Sequence, residues 1–207
     1  MKFFGRGSGF TCEHTSAYFT TKDKEIIIID CPVSTFQKLR DVNLDNYDDC
    51  YVLITHTHGD HIGGLGLFVQ YVFFTLERSV TIVAPSNAVA NDILTLLTIE
   101  GNDTSWYKLV TTTDIAEKVW FKSSILTKHS PLLENKCFGY NLIIDNTNVV
   151  YTGDTSTLKP FLPYLTDYSV LYVDTSVHYG MIHLKLEDSL SELVSFTSRH
   201  IKVYLMH

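Results

Sequence analysis

The chain is 207 residues long, 45% hydrophobic and 19% charged. That suits one domain with a sizeable core and excludes a disordered tail, a collagen-like rod and a coiled coil. Sixteen basic against 23 acidic residues give a net charge of −7, a poor fit to long nucleic acid gripped on a broad basic face but not to a small anion, because a bound metal reverses the field locally.

Taken in chain order, Gly5 and Arg6 interrupt any early apolar run, so no signal-peptide core is expected. Segments 2–4, 17–21 and 24–30 read as strands; the last carries four consecutive isoleucines, Ile26 to Ile29, as in a strand buried on both faces. Asp23 marks the hairpin turn before it. Ser34 is placed to cap a short helix through Arg40. Residues 51–55 form an apolar strand that runs straight into a cluster of histidines. Residues 61–74 then read as a helix apolar on nearly every side, with one face for the core and another for a partner subunit, so a homodimer is expected.

The most apolar run, 65–76, is broken by Gln70 and Thr75 and falls short of the ~18 residues of a membrane span. No membrane partner is expected. Residues 80–84 are a strand, and Pro85-Ser86 opens a helix that Gly101 ends. Strands follow at 118–127, 138–145 and 149–152, with a turn at Asp145-Asn146. A short helix at 159–167, a strand at 170–174, a helix at 187–199 and a strand at 201–206 complete the chain. No repeat or linker divides residues 1–207, which are expected to form a single domain. Two β-rich halves with outer helices suggest an α/β protein built as a four-layer α/β/β/α sandwich. Cys12, Cys31, Cys50 and Cys137 form no Cys-x-x-Cys pair, so reduced thiols in a cytoplasm are expected.

Nine histidines are the unusual count, and the densest group lies in THTHGDHIGG, residues 55–64. His56 and His58 are two apart at a strand end, so their side chains point the same way. Asp60 and His61 follow the Gly59 turn and face the same region from a second direction. Three imidazoles and a carboxylate are donors that suit zinc, and also manganese or iron.

This His-x-His-x-Asp-His signature after an apolar strand resembles that of the metallo-β-lactamase superfamily. The family's further ligands have counterparts here. His129 in TKHSP resembles its third-histidine motif, Asp154 in YTGDT its bridging aspartate, and His207 its last ligand. Asp30 resembles a buried aspartate that orients the motif loop. The resemblance implies two divalent metal ions: one on His56, His58 and His129, the other on Asp60, His61 and His207, with Asp154 bridging. Two ions about 3.5–4 Å apart would share a hydroxide, available near neutral pH because zinc lowers the pKa of bound water to roughly 7. Asp60 would accept a hydrogen bond from that water and aim it.

Three segments narrow the resemblance. FFGRGSGFTCEHTSAYF is similar to the N-terminal strand and Gly-rich turn of ribonuclease Z-like phosphodiesterases, and GDHIGGLGL to the helix after their metal motif. HLKLED at 183–188 resembles their extra histidine motif, with Lys185 where the family more often has a small hydroxyl residue. That implies His183 as the acid that protonates the leaving oxygen. The long basic arm that grips tRNA is absent between His129 and Asp154, where two strands fill the interval. The expected substrate is therefore a small phosphodiester, a cyclic nucleotide above others, attacked at phosphorus by the bridging hydroxide. The competing expectations are a thioester or lactone hydrolase of the same superfamily and a non-catalytic binding module.

Overall fold

The computed structural model describes residues 1–178 and 182–206. The chain forms two compact units, the first Met1–Asp114 and the second from Ile115 onward. Each holds one sheet, as a mixed α/β sequence predicts.

The first unit's sheet has six strands: β1 (Lys2–Gly5), β2 (Ser16–Thr20), β3 (Glu25–Ile29), β4 (Asp49–Leu53), β5 (Val80–Ala84) and β6 (Tyr107–Thr111). They lie in chain order across the sheet, β1 to β3 antiparallel and β3 to β6 parallel. Ile26 to Ile29 are all fully buried, which explains why β3 lacks the alternation of a half-exposed strand. Strand β6 has no counterpart in the sequence reading; its five residues pair with β5.

Helix α1 (Val33–Leu39) begins at Pro32, not at Ser34. Proline needs no N–H bond at a helix start, and the Ser34 hydroxyl instead accepts from the His14 amide. The helix expected at 61–74 is broken in two: α2 (Gly59–Ile62) and α3 (Leu65–Thr75). The break sits at Gly63-Gly64, where the Gly64 amide donates to the Cys31 carbonyl. A Cβ on Gly64 would lie 2.5 Å from the Pro32 oxygen, so only glycine lets the two backbones pass. Helix α4 (Asn87–Ile99) is capped by Ser86, whose hydroxyl accepts from the Val89 amide, and it ends at Gly101 with φ +77°, as its sequence signals require.

In the second unit the sheet order is β11-β10-β9-β8-β7. The strands are β7 (Phe121–Thr127), β8 (Cys137–Ile144), β9 (Thr147–Tyr151), β10 (Val170–Asp174) and β11 (Lys202–Met206). Strands β7 to β9 are antiparallel, and β9 to β11 are parallel. Asp145 and Asn146 both have positive φ, 49° and 61°, the two-residue turn whose twist matches a hairpin. Residues 159–167 hold only a single 3₁₀ turn, Leu162–Tyr164, where a helix was expected. Pro160 and Pro163 each lack the amide proton an α-helix needs. Helix α5 (Leu186–Ser195) continues into the 3₁₀ turn Phe196–Arg199. Phe161, Leu171, Val173, Leu193 and Ile201 form the core beneath it.

Candidate functional site

In the first unit the donors gather where β3 and β4 end. Asp30 follows β3 directly, fully buried, with φ 61°, a left-handed position that aspartate tolerates better than bulkier residues. Its Oδ1 accepts from the Thr55 amide at 2.8 Å. Its Oδ2 accepts from the Thr55 hydroxyl at 2.7 Å and from His61 Nδ1 at 2.8 Å. Burial raises the Asp30 carboxyl above the usual carboxylate range, and the facing His61 opposes that rise.

These bonds set the imidazole tautomers. His61 Nδ1 carries the proton given to Asp30, which leaves Nε2 as the lone-pair nitrogen, 3.8 Å from Asp60 Oδ2. The single Thr55 hydroxyl proton goes to Asp30, so His56 Nδ1, 3.0 Å from that oxygen, must donate to it. His56 Nε2 is then the lone-pair nitrogen, and it faces His58 Nδ1 at 3.0 Å. His56, His58, Asp60 and His61 thus form one group, with His56 and His61 buried. An imidazole that donates one N–H to a fixed oxygen and presents the other nitrogen is the usual form of a metal-ligating histidine.

The second unit repeats the device. His129 lies after β7, buried, and its Nδ1 donates to the Ile182 carbonyl at 2.7 Å. Its Nε2 is 3.7 Å from Asp154 Oδ2. Burial holds His129 below the ordinary imidazole value, so the ring is neutral at pH 7, the form that binds a metal. Asp154 follows β9 and is buried. His183 Nδ1 donates to Asp174 Oδ2 at 2.8 Å and stands 3.9 Å from Asp154 Oδ2. Candidate ligand atoms of His129, Asp154 and His183 all lie within 4.8 Å of one another. The donor chemistry around His56 and His61, and around His129 and Asp154, therefore fits divalent ions. His207 lies outside the described residues.

Three contributors escaped the sequence reading. Thr55 fixes both Asp30 and His56. Asp174, at the end of β10, orients His183 while also accepting from the Thr155 amide at 2.9 Å; a strand-end aspartate was the available signal, as for Asp30. Gly9 packs against Asp60, where an added Cβ would come within 2.6 Å of Oδ2. Of the histidines left without a role, His178 is exposed, and His200 adopts a left-handed helix end and stacks on Tyr168 at 4.9 Å. Burial pushes the Cys50 thiol up to about 12 and Cys31 well above its ordinary value, so both are inert.

Solved structures resemble this chain along its whole length. The metallo-β-lactamase fold protein YhfI from Bacillus subtilis matches with TM-score 0.76 at 18% identity, over 100% of this chain and 84% of that one. A diphosphatase of the PhnP family matches with TM-score 0.69 at 15% identity, over 100% and 85%. Fold and donor chemistry together define a protein of the metallo-β-lactamase fold with a candidate metal centre. The model of the family described as anti-Pycsar protein Apyc1 matches residues 1–207, and the chain belongs to that family. The anti-Pycsar protein Apyc1 of Bacillus phage BSP38 is 26% identical over 226 residues, covering 100% of this chain and 88% of that protein.

Proposed function

We propose that the chain hydrolyses a small cyclic nucleotide with the help of two divalent ions, zinc in the first instance and manganese or iron as alternatives. The observation that carries this reading is the end-to-end match to the anti-Pycsar family. The sequence resemblance to armless, cyclic-nucleotide-degrading members of the superfamily supports the same substrate. Following the family resemblance of the sequence, His56, His58 and His129 would hold one ion, Asp60, His61 and His207 the other, and Asp154 would serve both. The ions, when bound, supply the Lewis acidity that ionises a water near neutral pH.

The protein's own groups do the rest. Asp30, through Thr55 and His61, holds the first unit's imidazoles in ligating tautomers. Asp60 accepts a hydrogen bond from the attacking water and aims it at phosphorus. His183, its Nδ1 proton committed to Asp174, delivers the Nε2 proton to the leaving ribose oxygen. The acidic surface, −7 overall, keeps long nucleic acids away, whereas the donor pocket accepts a single small phosphate.

The curated relatives come from Bacillus phages, and this supports a reading in which the activity runs in the host cytoplasm. Among the described residues no helix is long and apolar enough to cross a membrane. Leu67 and Phe74 on α3 remain largely exposed, and we assign that face to a homodimer contact. Sedimentation of a clean monomer at micromolar concentration would remove it.

The test is a screen of cyclic mono- and dinucleotides with zinc or manganese, with thioester and lactone substrates in parallel. A linear nucleotide monophosphate as product supports the reading. Turnover of a thioester or lactone, with every cyclic nucleotide untouched, overturns it.

A further inference from the structure

We infer that the loop between β1 and β2 is a nucleobase clamp, with the Phe10 ring stacking on the base of the bound nucleotide; this rests on the cyclic-nucleotide reading above. The loop is braced on both sides of its tip. The Gly7 amide donates to the Glu13 carbonyl, and the Thr11 amide and hydroxyl both donate to the Ser8 carbonyl. The Thr15 hydroxyl donates to the Gly7 carbonyl at 3.1 Å. Lys38 clamps the loop base, its ammonium donating to Glu13 Oε1 at 2.7 Å and to the Phe4 carbonyl. At the tip of this braced loop Phe10 is fully exposed, at 103%. The surrounding bonds hold a large apolar ring in water, where it gains nothing from folding.

The position of the tip supplies the occupant. Gly9 sits directly on the Asp60 carboxylate, closely enough that any Cβ would collide with Oδ2 at 2.6 Å. Phe10 is the next residue, one backbone step of about 3.8 Å away. In a small cyclic nucleotide the base lies only a short reach from its phosphorus. A phosphate aimed at by Asp60 therefore brings its base to the Phe10 ring. Base–aromatic stacking needs no particular base, since every base has a π-face. The clamp thus predicts grip on purine and pyrimidine cyclic nucleotides alike.

The test uses the zinc-loaded full chain, 3′,5′-cyclic CMP, 3′,5′-cyclic AMP and the base-free methyl riboside 3,5-cyclic phosphate. Phe10→Ala should melt as the wild type does, because the ring touches nothing in the fold. Its KM for both nucleotides should rise about tenfold to a hundredfold, with kcat within threefold and KM for the base-free compound unchanged. Phe10→Tyr and Phe10→Trp should restore the wild-type KM, and Phe10→Leu should not. Fluorescence of the Phe10→Trp variant should be quenched by product nucleotide but not by ribose 5-phosphate. An unchanged KM in Phe10→Ala overturns the clamp, as does an equal rise for the base-free compound. A shift from dimer to monomer in Phe10→Ala, with KM unchanged, would assign the ring to a subunit contact and overturn it too. Wild-type protein that turns over neither nucleotide removes the underlying function, and the clamp with it.

Discussion

Asp30–His61 in the first unit and Asp174–His183 in the second are the same device, a strand-end aspartate accepting from His Nδ1 at 2.8 Å. They differ in access to water. The His61 side chain is 3% exposed and that of His183 is 16%. Asp30 also accepts from both the amide and the hydroxyl of Thr55, and Asp174 also accepts from the Thr155 amide. A ring sealed and fixed on all sides is suited to hold an ion in one geometry. A ring that is less deeply enclosed, and reached by water on its flank, is suited to exchange a proton at every turnover. One local motif, set at two depths, thus suits the two chemistries proposed for His61 and His183.

The contrast can be broken most forcefully at Asp30. Asp30→Ala leaves His61 and the Thr55 amide facing a buried void, and should cost about 3–5 kcal/mol of unfolding free energy in urea melts. The volume-keeping Asp30→Asn should fold, yet retain fewer zinc ions per chain after reconstitution. A wild-type melt for Asp30→Ala and full zinc for Asp30→Asn would erase the distinction. His183→Ala comes next. It should lower kcat by about a hundredfold to ten-thousandfold with metal content and melting temperature intact; undiminished phosphodiesterase activity would end the acid role. Asp174→Asn should follow with a loss of about tenfold to a hundredfold in kcat, again with metal retained. Metal loss in that variant would mean that both aspartates serve ions and the two units do not differ. Thr55→Val is the gentlest probe. It keeps the amide bond to Asp30 and deletes one hydroxyl bond, so stability should drop by about 1 kcal/mol, a melting shift of about 3 °C. A larger effect on zinc affinity than on stability would tie Thr55 to the tautomer of His56.

Much of this was legible in the sequence, for reasons that particular residues make clear. The isoleucine run of β3, the Ser86 cap, the Gly101 stop and the Asp145-Asn146 turn each act through local chemistry, and each falls where the pattern places it. The break between α2 and α3 was missed because it depends on Gly64 meeting Pro32, a contact between distant segments. Ser34 was misread for the same reason, since its hydroxyl serves His14 rather than its own helix. In the candidate site, ligand-type residues announce themselves through spacing. Their positioning partners do not: Thr55 and Asp174 are ordinary letters whose roles exist only once two strand ends stand side by side.

The chain-order arrangement of the strands also has a consequence for synthesis. In both sheets each strand pairs with its immediate predecessor or successor in the chain, so no strand waits for a distant partner. At about 5–20 residues per second, the first six strands can close while the second unit is still being made. The Asp30–Thr55–His61 network would then form in a nascent chain that does not yet contain His129 or Asp154. The first unit's positioning network is thus built ahead of the second unit's donors, and a product truncated after Asp114 would still carry the Asp30 and Thr55 bonds that fix His56 and His61.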